Sequence, residues 1–544
     1  MIDKNRITND LKRLVAVPSI SGTADEVNGA FIMEQLLYEI PYFSWNRKNV
    51  QLIPLEGDPL RRKLITAYLE CCPESNQVVI LTGHYDVVGV EEFGHLQKEA
   101  FNIDLITHRI NEMPLDEEAR KDYDSGEWYF GRGTADMKFG HALCLELLRH
   151  YAEENSLQGN LLYVGVCGEE TNSEGMLRAV PFLNDFKKIH DIEYTALLLA
   201  ECYMVENQAD DSIRYIHYGA EGKVMPMFFF AGASTHSEEP FLGLDPLLLS
   251  NEVYRRIQLN SDLCGSAHGE LGQTPVCLKS LDLKPTYSGS TPLYAAAYYN
   301  LVTFDLNPQK LISQLVSIAE DSFDAALQFS ESKTEAYELK YGVKPSSYCT
   351  KPVVKTYAQI SAEAKASNGV EFEQSVEHLI QEEIQAGTEM QDIAIKIVKK
   401  KYEALPQKQP MIVVSFIPPF YPDNYGNLQE PKTAALLSCV QDVINYAQDS
   451  FHEKLELKNY YCVSDLSYTQ LNNTMDYNAL FENLAGANQI YTLPIEDMQE
   501  FFVPSIVLGG YGKDLHKHTE RLHKHYNFDV LPYLYVRLID GLLG

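Results

Sequence analysis

The sequence lacks a long apolar segment, so a membrane-spanning protein is not expected. No stretch approaches the roughly 20 consecutive apolar residues that a membrane-spanning helix needs. Residues 1–7 contain no apolar core of the length that a secretory signal peptide requires. We therefore expect a cytoplasmic protein with no membrane partner.

Cysteine and positive charge are also scarce. The 10 cysteines are scattered over 544 residues, and the adjacent pair Cys71-Cys72 can form neither a relaxed disulfide nor a CxxC metal site. Reduced thiols are therefore expected. The sequence has 45 Lys and Arg residues and 76 Asp and Glu residues, which gives a formal net charge of -31. Such a surface repels phosphate backbones, so nucleic acid is not an expected partner.

The length and the pattern of apolar residues predict at least two domains. Residues 1–212 alternate helical periodicity with short apolar runs, which is typical of an α/β domain with a mostly parallel sheet. The runs at 78–81, 161–164 and 196–199 predict buried strands. Residues 411–544 return to this pattern, with a helix near 431–449 and a strand at 504–508. We therefore predict a discontinuous α/β domain made of 1–212 and 411–544.

Residues 213–410 have a different pattern and predict an inserted domain. Its expected elements follow the order β-α-β-β-α of a ferredoxin-like α+β module, with the helices at 244–258 and 308–327. Residues 345–410 are polar and mostly helical, so we interpret them as a helical insertion in this domain.

Side chains that bind metals follow three of the predicted strands. Loops at the carboxyl edge of an open α/β sheet converge on one crevice. His84 is followed two residues later by Asp86, whose carboxylate can accept the second imidazole N–H, although a surface His–Asp pair fits equally well. The adjacent carboxylates Glu169 and Glu170 repel one another unless a cation or proton lies between them, and a solvated acidic turn remains the alternative. Glu201 follows a wholly apolar strand, where an unpaired charge is costly.

Two glycine-containing loops supply further candidates. Asp136 lies in residues 129–140, YFGRGTADMKFG, which match neither common phosphate-loop motif. In such a constrained turn, Asp136 can direct its two oxygens at two cations. His516 follows a strand and several glycines. The neighbouring histidines could instead form a nonspecific chelating tail, but only His516 has the strand and glycine setting; the neighbours are His518, His523 and His525.

These segments, in this order, resemble the M20 family of metallopeptidases. The resemblance is carried by GRGTADMK at 131–138 and LVAVPSISG at 14–22, and covers nearly the whole chain except 345–410. The segments 414–422 and 512–520 most resemble the RocB-like arginine-utilisation branch of the family. This implies a discontinuous zinc-peptidase-like catalytic domain with an inserted lid domain, and a role in arginine or ornithine catabolism.

The resemblance also implies a site for two divalent cations, zinc first, with cobalt or manganese as alternatives. By position in the family motifs, His84 and Glu201 bind one cation and Glu170 and His516 bind the other. Asp136 bridges the two cations. The peptide bond after Asp136 is often cis in this family.

Three more residues receive roles from the resemblance. Asp86 orients His84, and Glu169 is the general base that removes a proton from water and later delivers it to the leaving nitrogen. His236, in the lid, donates to the oxyanion, and in family dimers it comes from the neighbouring subunit. A homodimer through the lid domain is therefore an expected assembly.

The expected reaction is hydrolysis of an amide bond in a small N-substituted amino acid or short peptide. A broad dipeptidase is the alternative enzyme, and a noncatalytic metal-binding or regulatory protein on the same fold is the alternative of another class. Glu169 favours an enzyme, because a pure binding site needs no free base. Family members often carry an arginine where this sequence has Asn307, which cannot supply a charge-assisted fork, so recognition of a substrate carboxylate is in question.

Overall fold

The computed structural model describes residues 2–154, 156–203, 212–426, 428, 430–471 and 475–544. The chain forms two compact units. The larger unit comprises Met1–Ala220, Asn424–Leu471 and Pro494–Gly544, and the smaller comprises Glu221–Asp423 and Asn472–Leu493. Over the described ranges, no helix is both long and apolar enough to cross a membrane.

Strands and helices are numbered in chain order. The strands are β1 (Val50–Pro54), β2 (Lys63–Leu69), β3 (Gln77–His84), β4 (Trp128–Phe130), β5 (Asn160–Val166), β6 (Glu193–Leu199), β7 (Ile213–Ala220), β8 (Gly222–Ala231), β9 (Ser266–Ala267), β10 (Glu270–Leu271), β11 (Val276–Asp282), β12 (Tyr294–Thr303), β13 (Val354–Thr356), β14 (Met411–Tyr421), β15 (Lys454–Tyr461), β16 (Ser505–Val507), β17 (Gly512–Lys513) and β18 (Arg521–His523). The helices are α1 (Lys4–Val15), α2 (Asn28–Tyr38), α3 (Pro41–Trp45), α4 (Ile103–Arg109), α5 (Glu117–Ser125), α6 (Phe139–Glu154), α7 (Glu174–His190), α8 (Pro246–Ile257), α9 (Pro308–Tyr341), α10 (Tyr357–Gln385), α11 (Met390–Glu403), α12 (Pro431–Phe451), α13 (Tyr477–Asn483), α14 (Ile495–Glu500) and α15 (Leu531–Leu543).

The larger unit is built on an eight-stranded mixed sheet in the order β1-β2-β5-β3-β6-β16-β7-β15. Its central strands β5, β3, β6 and β16 are parallel, whereas β1, β2 and β7 each make antiparallel pairings. The central strands are apolar and buried along nearly their whole length, as expected for parallel strands covered on both faces. Their carboxyl ends therefore meet at one edge.

A second, three-stranded sheet in the larger unit has the order β17-β18-β4. Because β18 pairs with β4, the backbone N–H of Gly131 donates to the carbonyl of Glu520 at 3.1 Å. This pairing joins the glycine-containing turn after β4 to the loop between β17 and β18.

The smaller unit contains a five-stranded sheet in the order β11-β12-β8-β14-β13. In chain order its elements run β8, α8, β11, β12 and α9, with the short pair β9–β10 before β11. Side chains of a strand alternate between its two faces. Met227 and Phe229 of β8 share a buried cluster with Ile397 and Val398 of α11, so the helices of the 345–410 segment bury an apolar surface against this sheet.

Strand β14 corrects one predicted domain boundary. Residues from 411 onward were assigned to the α/β domain, but β14 is hydrogen-bonded between β8 and β13 in the smaller unit, where residues 472–493 also lie. The first boundary falls after Ala220 rather than after residue 212. An apolar run such as 411–421 predicts a buried strand, but its composition does not specify which sheet it joins.

Candidate metal centre

The predicted ligands of the larger unit converge at the carboxyl edge of its sheet. His84 is the last residue of β3, which lies between β5 and β6 in parallel register. Glu169 and Glu170 follow β5 after a short turn, and Glu201 follows β6. Neighbouring parallel strands thus supply these side chains to one place.

One half of the cluster is centred on the imidazole of His84. Its Nε2 lies 3.1 Å from Oδ1 of Asp136 and 3.1 Å from Oε2 of Glu201. The side chain is buried, and its backbone carbonyl accepts a hydrogen bond from the buried ring of His141 at 2.7 Å. We call His84, Glu201 and Oδ1 of Asp136 the His84 half-site.

The other half is centred on the imidazole of His516. Its Nε2 lies 3.1 Å from Oδ2 of Asp136 and 3.0 Å from Oε2 of Glu170. We call His516, Glu170 and Oδ2 of Asp136 the His516 half-site. Each oxygen of Asp136 therefore faces a different imidazole, which is the arrangement a bridging carboxylate requires.

Asp136 is held by the turn Thr134–Lys138, which begins immediately after Gly133 and ends at α6. Gly133 has φ of +74°, in the region that favours glycine, and an added Cβ would lie 2.8 Å from Val87. The Asp136–Met137 peptide bond is cis. The buried ammonium of Lys138 donates to the carbonyls of Leu14 and Val17, at 3.2 and 2.5 Å, which fixes the far end of the turn.

Asp86 contacts His84 differently from the sequence-based expectation. The Nδ1 atom of His84 lies 3.1 Å from the backbone carbonyl of Asp86 but 3.6 Å from its carboxylate. That carboxylate instead accepts from the backbone N–H groups of Glu169 and Glu170, at 3.3 and 3.2 Å, and from the hydroxyl of Ser21 at 2.7 Å. Asp86 thus positions the Glu169-Glu170 turn as well as His84.

The cluster crowds several carboxylates around two imidazoles. Hydrogen bonds to Asp136 and Glu170 raise the pKa of His516 to about 11. Burial raises the pKa of Glu201 to about 8, and burial together with neighbouring carboxylates raises the pKa of Glu169 well above its usual range. The buried carboxylates therefore bind a proton more readily than they would in water, and a metal cation could relieve the same repulsion.

Two predicted residues, His236 and Asn307, belong to the smaller unit. His236 is exposed in the loop between β8 and α8, and its Nδ1 accepts from the backbone N–H of Glu238 at 3.2 Å. Asn307 is the N-cap of α9, where its side chain accepts from the backbone N–H of Lys310 at 2.9 Å. Its chemistry is therefore that of a helix cap.

Sequence reasoning missed three buried charged residues beside the cluster. Arg132 and Glu520 form an ion pair of 2.5 Å whose side chains are 1% and 0% exposed. Asp465, at the start of a short helical turn after β15, is buried, and burial raises the pKa of its carboxyl to about 7. Only a weak indication of two of them is present in the sequence: Arg132 lies inside the motif at 131–138, and Glu520 is the last residue of the segment 512–520.

A sheet edge that presents two imidazoles to opposite oxygens of one aspartate, among further carboxylates, has the ligands of a site for two cations. The model of "Peptidase family M20/M25/M40" matches residues 80–540. Since this is most of the chain, the protein belongs to that family.

Relatives match over nearly the full length of the chain. The protein RocB of Bacillus subtilis is 29% identical over 528 residues, covering 96% of this chain and 92% of RocB. The uncharacterised protein YqjN of the same organism is 32% identical over 544 residues, covering 99% of this chain and 97% of YqjN. Both similarities extend through the 345–410 segment, which the family resemblance had left out.

Solved structures show the same fold at low sequence identity. A tripeptidase from Staphylococcus aureus superposes with a TM-score of 0.54 and 14% identity, covering 100% of this chain and 99% of that one. The di-peptidase Dug1p from Saccharomyces cerevisiae superposes with a TM-score of 0.55 and 10% identity, covering 99% and 96%. Both structures share the fold of this chain.

Proposed function

We propose that the protein hydrolyses an amide bond in a small N-substituted amino acid, using two divalent cations held by His84, Asp136, Glu170, Glu201 and His516. One observation carries the proposal: the two oxygens of Asp136 each lie 3.1 Å from a different imidazole. The carboxylate of Glu169 lies close to His84 but is not one of the proposed ligands.

The donors of the cluster fit the cations that the family implies. Imidazole nitrogens and carboxylate oxygens are suitable ligands for zinc and also for cobalt or manganese. Asp136 would be shared, with His84 and Glu201 on one side and Glu170 and His516 on the other. A pair of such cations supplies Lewis-acid activation of water and of the scissile carbonyl.

Glu169 is the proposed general base. Its Oε2 lies 3.8 Å from Nε2 of His84, farther than the 3.0–3.1 Å contacts of the proposed ligands, and its side chain is 15% exposed. The carboxylate accepts a proton from the attacking water while the water oxygen bonds to the carbonyl carbon. The same proton then passes to the leaving nitrogen as the C–N bond breaks.

His236 is the proposed donor to the oxyanion. Because the backbone N–H of Glu238 points at its Nδ1, a neutral imidazole carries its proton on Nε2. The loop is braced by residues 289–291: Ser237 N–H donates to the carbonyl of Gly289, and Thr291 N–H donates to that of Thr235, both at 2.9 Å. A braced loop that presents an N–H donor suits stabilisation of a developing negative charge.

The substrate class rests on the relatives. Similarity to RocB over nearly the full length favours a derivative of arginine or ornithine as the substrate of a catabolic step. Asn307 is used as a helix cap, so this position supplies no fork for a substrate carboxylate.

A turnover screen tests the function. The full-length protein loaded with zinc is incubated with N-acyl and N-carbamoyl amino acids, including those of arginine and ornithine, and with dipeptides, and the products are followed by mass spectrometry. Glu169→Gln, prepared in parallel, identifies release caused by contaminating enzymes. We expect release from N-substituted amino acids by the wild type only.

The other outcomes select the alternatives. Release from dipeptides alone would identify a broad dipeptidase. Protein that binds two cations and releases nothing from any class would instead be a metal-binding or regulatory protein.

The assembly is a separate proposal. A homodimer through the smaller unit would place a second His236 within reach of each chain, as in dimers of the family. Light scattering on the eluting protein would give a mass near twice 61.6 kDa for a dimer and 61.6 kDa for a monomer.

A further inference from the structure

We propose that the buried ion pair between Arg132 and Glu520 keeps the His516 half-site in a fixed position relative to the His84 half-site. The inference rests on the metal ligands assigned under the proposed function. It concerns residues that touch no proposed cation and act through Asp136 and His516.

Glu520 fixes the turn that carries Asp136. Its Oε1 accepts the backbone N–H groups of Ala135 and Asp136, at 3.2 and 3.3 Å. Its Oε2 accepts from Nη1 of Arg132 at 2.5 Å, and the carboxylate is fully buried. A buried carboxylate with these partners has little freedom, so the backbone of Asp136 is held in place.

Arg132 fixes the loop that carries His516. Its Nη2 donates to the backbone carbonyl of His516 at 3.1 Å, and its Nε donates to the carbonyl of Gly89 at 3.1 Å. The planar guanidinium therefore contacts Glu520, the His516 loop and the segment after β3 in one fixed geometry, which an ammonium group cannot reproduce.

The two half-sites differ in how much they need this support. His84 is paired with Val166 of β5 in the large sheet, and Glu201 lies two residues beyond the end of β6, so both are close to the sheet's hydrogen bonds. His516 lies in a loop, has φ of +65°, and its side chain is 52% exposed. The sheet does not hold His516, so the ion pair matters more there.

Removing the ion pair should therefore weaken the His516 half-site more than the His84 half-site. Residues that hydrogen-bond the ligands of a metal without touching the metal typically change its affinity by roughly 10- to 100-fold when they are mutated. We expect this loss at the His516 half-site and, because Asp136 is shared, a smaller loss at the His84 half-site. A purely structural ion pair would lower stability and leave the ratio of the two affinities unchanged.

The test measures zinc binding to metal-free full-length protein by calorimetric titration against a competing chelator. Glu170→Gln first identifies which binding step belongs to the His516 half-site. Glu520→Gln keeps an acceptor for the two backbone N–H groups but loses the charge, and Arg132→Lys keeps the charge but loses the fork. Both should weaken the step identified by Glu170→Gln, and Glu520→Ala should weaken it most.

A matched control is available in the same unit. Arg149 and Asp10 form a buried ion pair of 2.5 Å that joins α6 to α1, and neither side chain is hydrogen-bonded to a proposed metal ligand. Asp10→Asn should lower the thermal unfolding temperature without altering either zinc affinity. Circular dichroism identifies any variant that fails to fold, and Arg132→Lys provides the test if Glu520→Ala does not fold.

Each outcome has a defined meaning. Unchanged affinities in both Arg132→Lys and Glu520→Gln, or an equal loss in Asp10→Asn, would overturn the positioning role. A wild-type protein that binds no zinc would instead refute the metal ligands of the proposed function.

Discussion

At the scale of single residues, Asp136 joins two half-sites that its neighbours form separately. Its oxygens face His84 and His516, each at 3.1 Å. Asp136→Ala removes an anionic ligand from both half-sites, so bound metal should fall well below two ions per chain. Metal analysis after gel filtration measures this, with Asp324→Ala on the exposed surface of α9 as the control. Full double occupancy in Asp136→Ala would show that the aspartate does not bridge.

Glu169 and Glu170 are neighbours in sequence, but Glu169 is the proposed general base and Glu170 a proposed metal ligand. Glu169→Gln removes the proton acceptor and should slow the chemical step by roughly 10²- to 10⁴-fold, with two cations still bound. Glu170→Gln removes a ligand, so one cation should bind more weakly and excess zinc should partly restore activity. Metal content and zinc rescue, measured side by side, distinguish the two. The opposite pattern would mean that the roles have been exchanged.

His236 offers a test that does not involve metal binding. If its Nε2–H stabilises the oxyanion, His236→Ala should lower kcat by roughly 10²- to 10³-fold while metal content stays at the wild-type level. His236→Gln retains a side-chain N–H donor and should recover part of the rate. Turnover by His236→Ala at the wild-type rate would remove this histidine from the mechanism.

At the scale of elements, local sequence patterns predicted where strands and helices lie better than they predicted which strands pair with one another. Residues 78–81, 161–164 and 196–199 lie within β3, β5 and β6, because continuous apolar runs are typical of strands buried on both faces. The run at 411–417 lies within β14, yet it joins the other sheet. Pairing is decided by hydrogen bonds to β8, nearly 200 residues earlier, which composition does not encode.

The candidate site shows the same limit. The cluster of His84, Asp136, Glu170, Glu201 and His516 was found from sequence because each residue follows a strand or a glycine-rich turn. The ion pair between Arg132 and Glu520 was not found, because it depends on the pairing of β18 with β4. Nor does the Asp86 motif reveal that its carboxylate hydrogen-bonds Glu169 and Glu170 rather than His84.

Helix α11 tests whether the 345–410 segment is part of a core. Ile397 is fully buried among residues of the smaller unit's sheet, so Ile397→Ala should cost about 2–5 kcal/mol of unfolding free energy. The matched control is Ile189→Ala in α7, where the side chain is 78% exposed and the expected change is within about 0.5 kcal/mol. Denaturant titration measures both. An equally small effect at Ile397 would show that α11 is not packed as described.

At the scale of the whole molecule, the net charge of -31 and the crowded carboxylates of the cluster both oppose folding through repulsion. Cations bound only by the folded protein stabilise it by about 4 kcal/mol per site at a thousandfold excess over Kd. Chelation should therefore lower the unfolding temperature of the wild type.

The expected loss of stability must be separated from nonspecific screening of the acidic surface. Unfolding is followed with and without a chelator at constant ionic strength, because added salt weakens surface repulsion in every variant. Asp136→Ala has the same acidic surface but a damaged site, so chelation should shift its unfolding temperature much less than that of the wild type. Zinc added back should restore the wild-type value. An equal shift in both proteins would mean that the stabilising cations bind elsewhere on the chain.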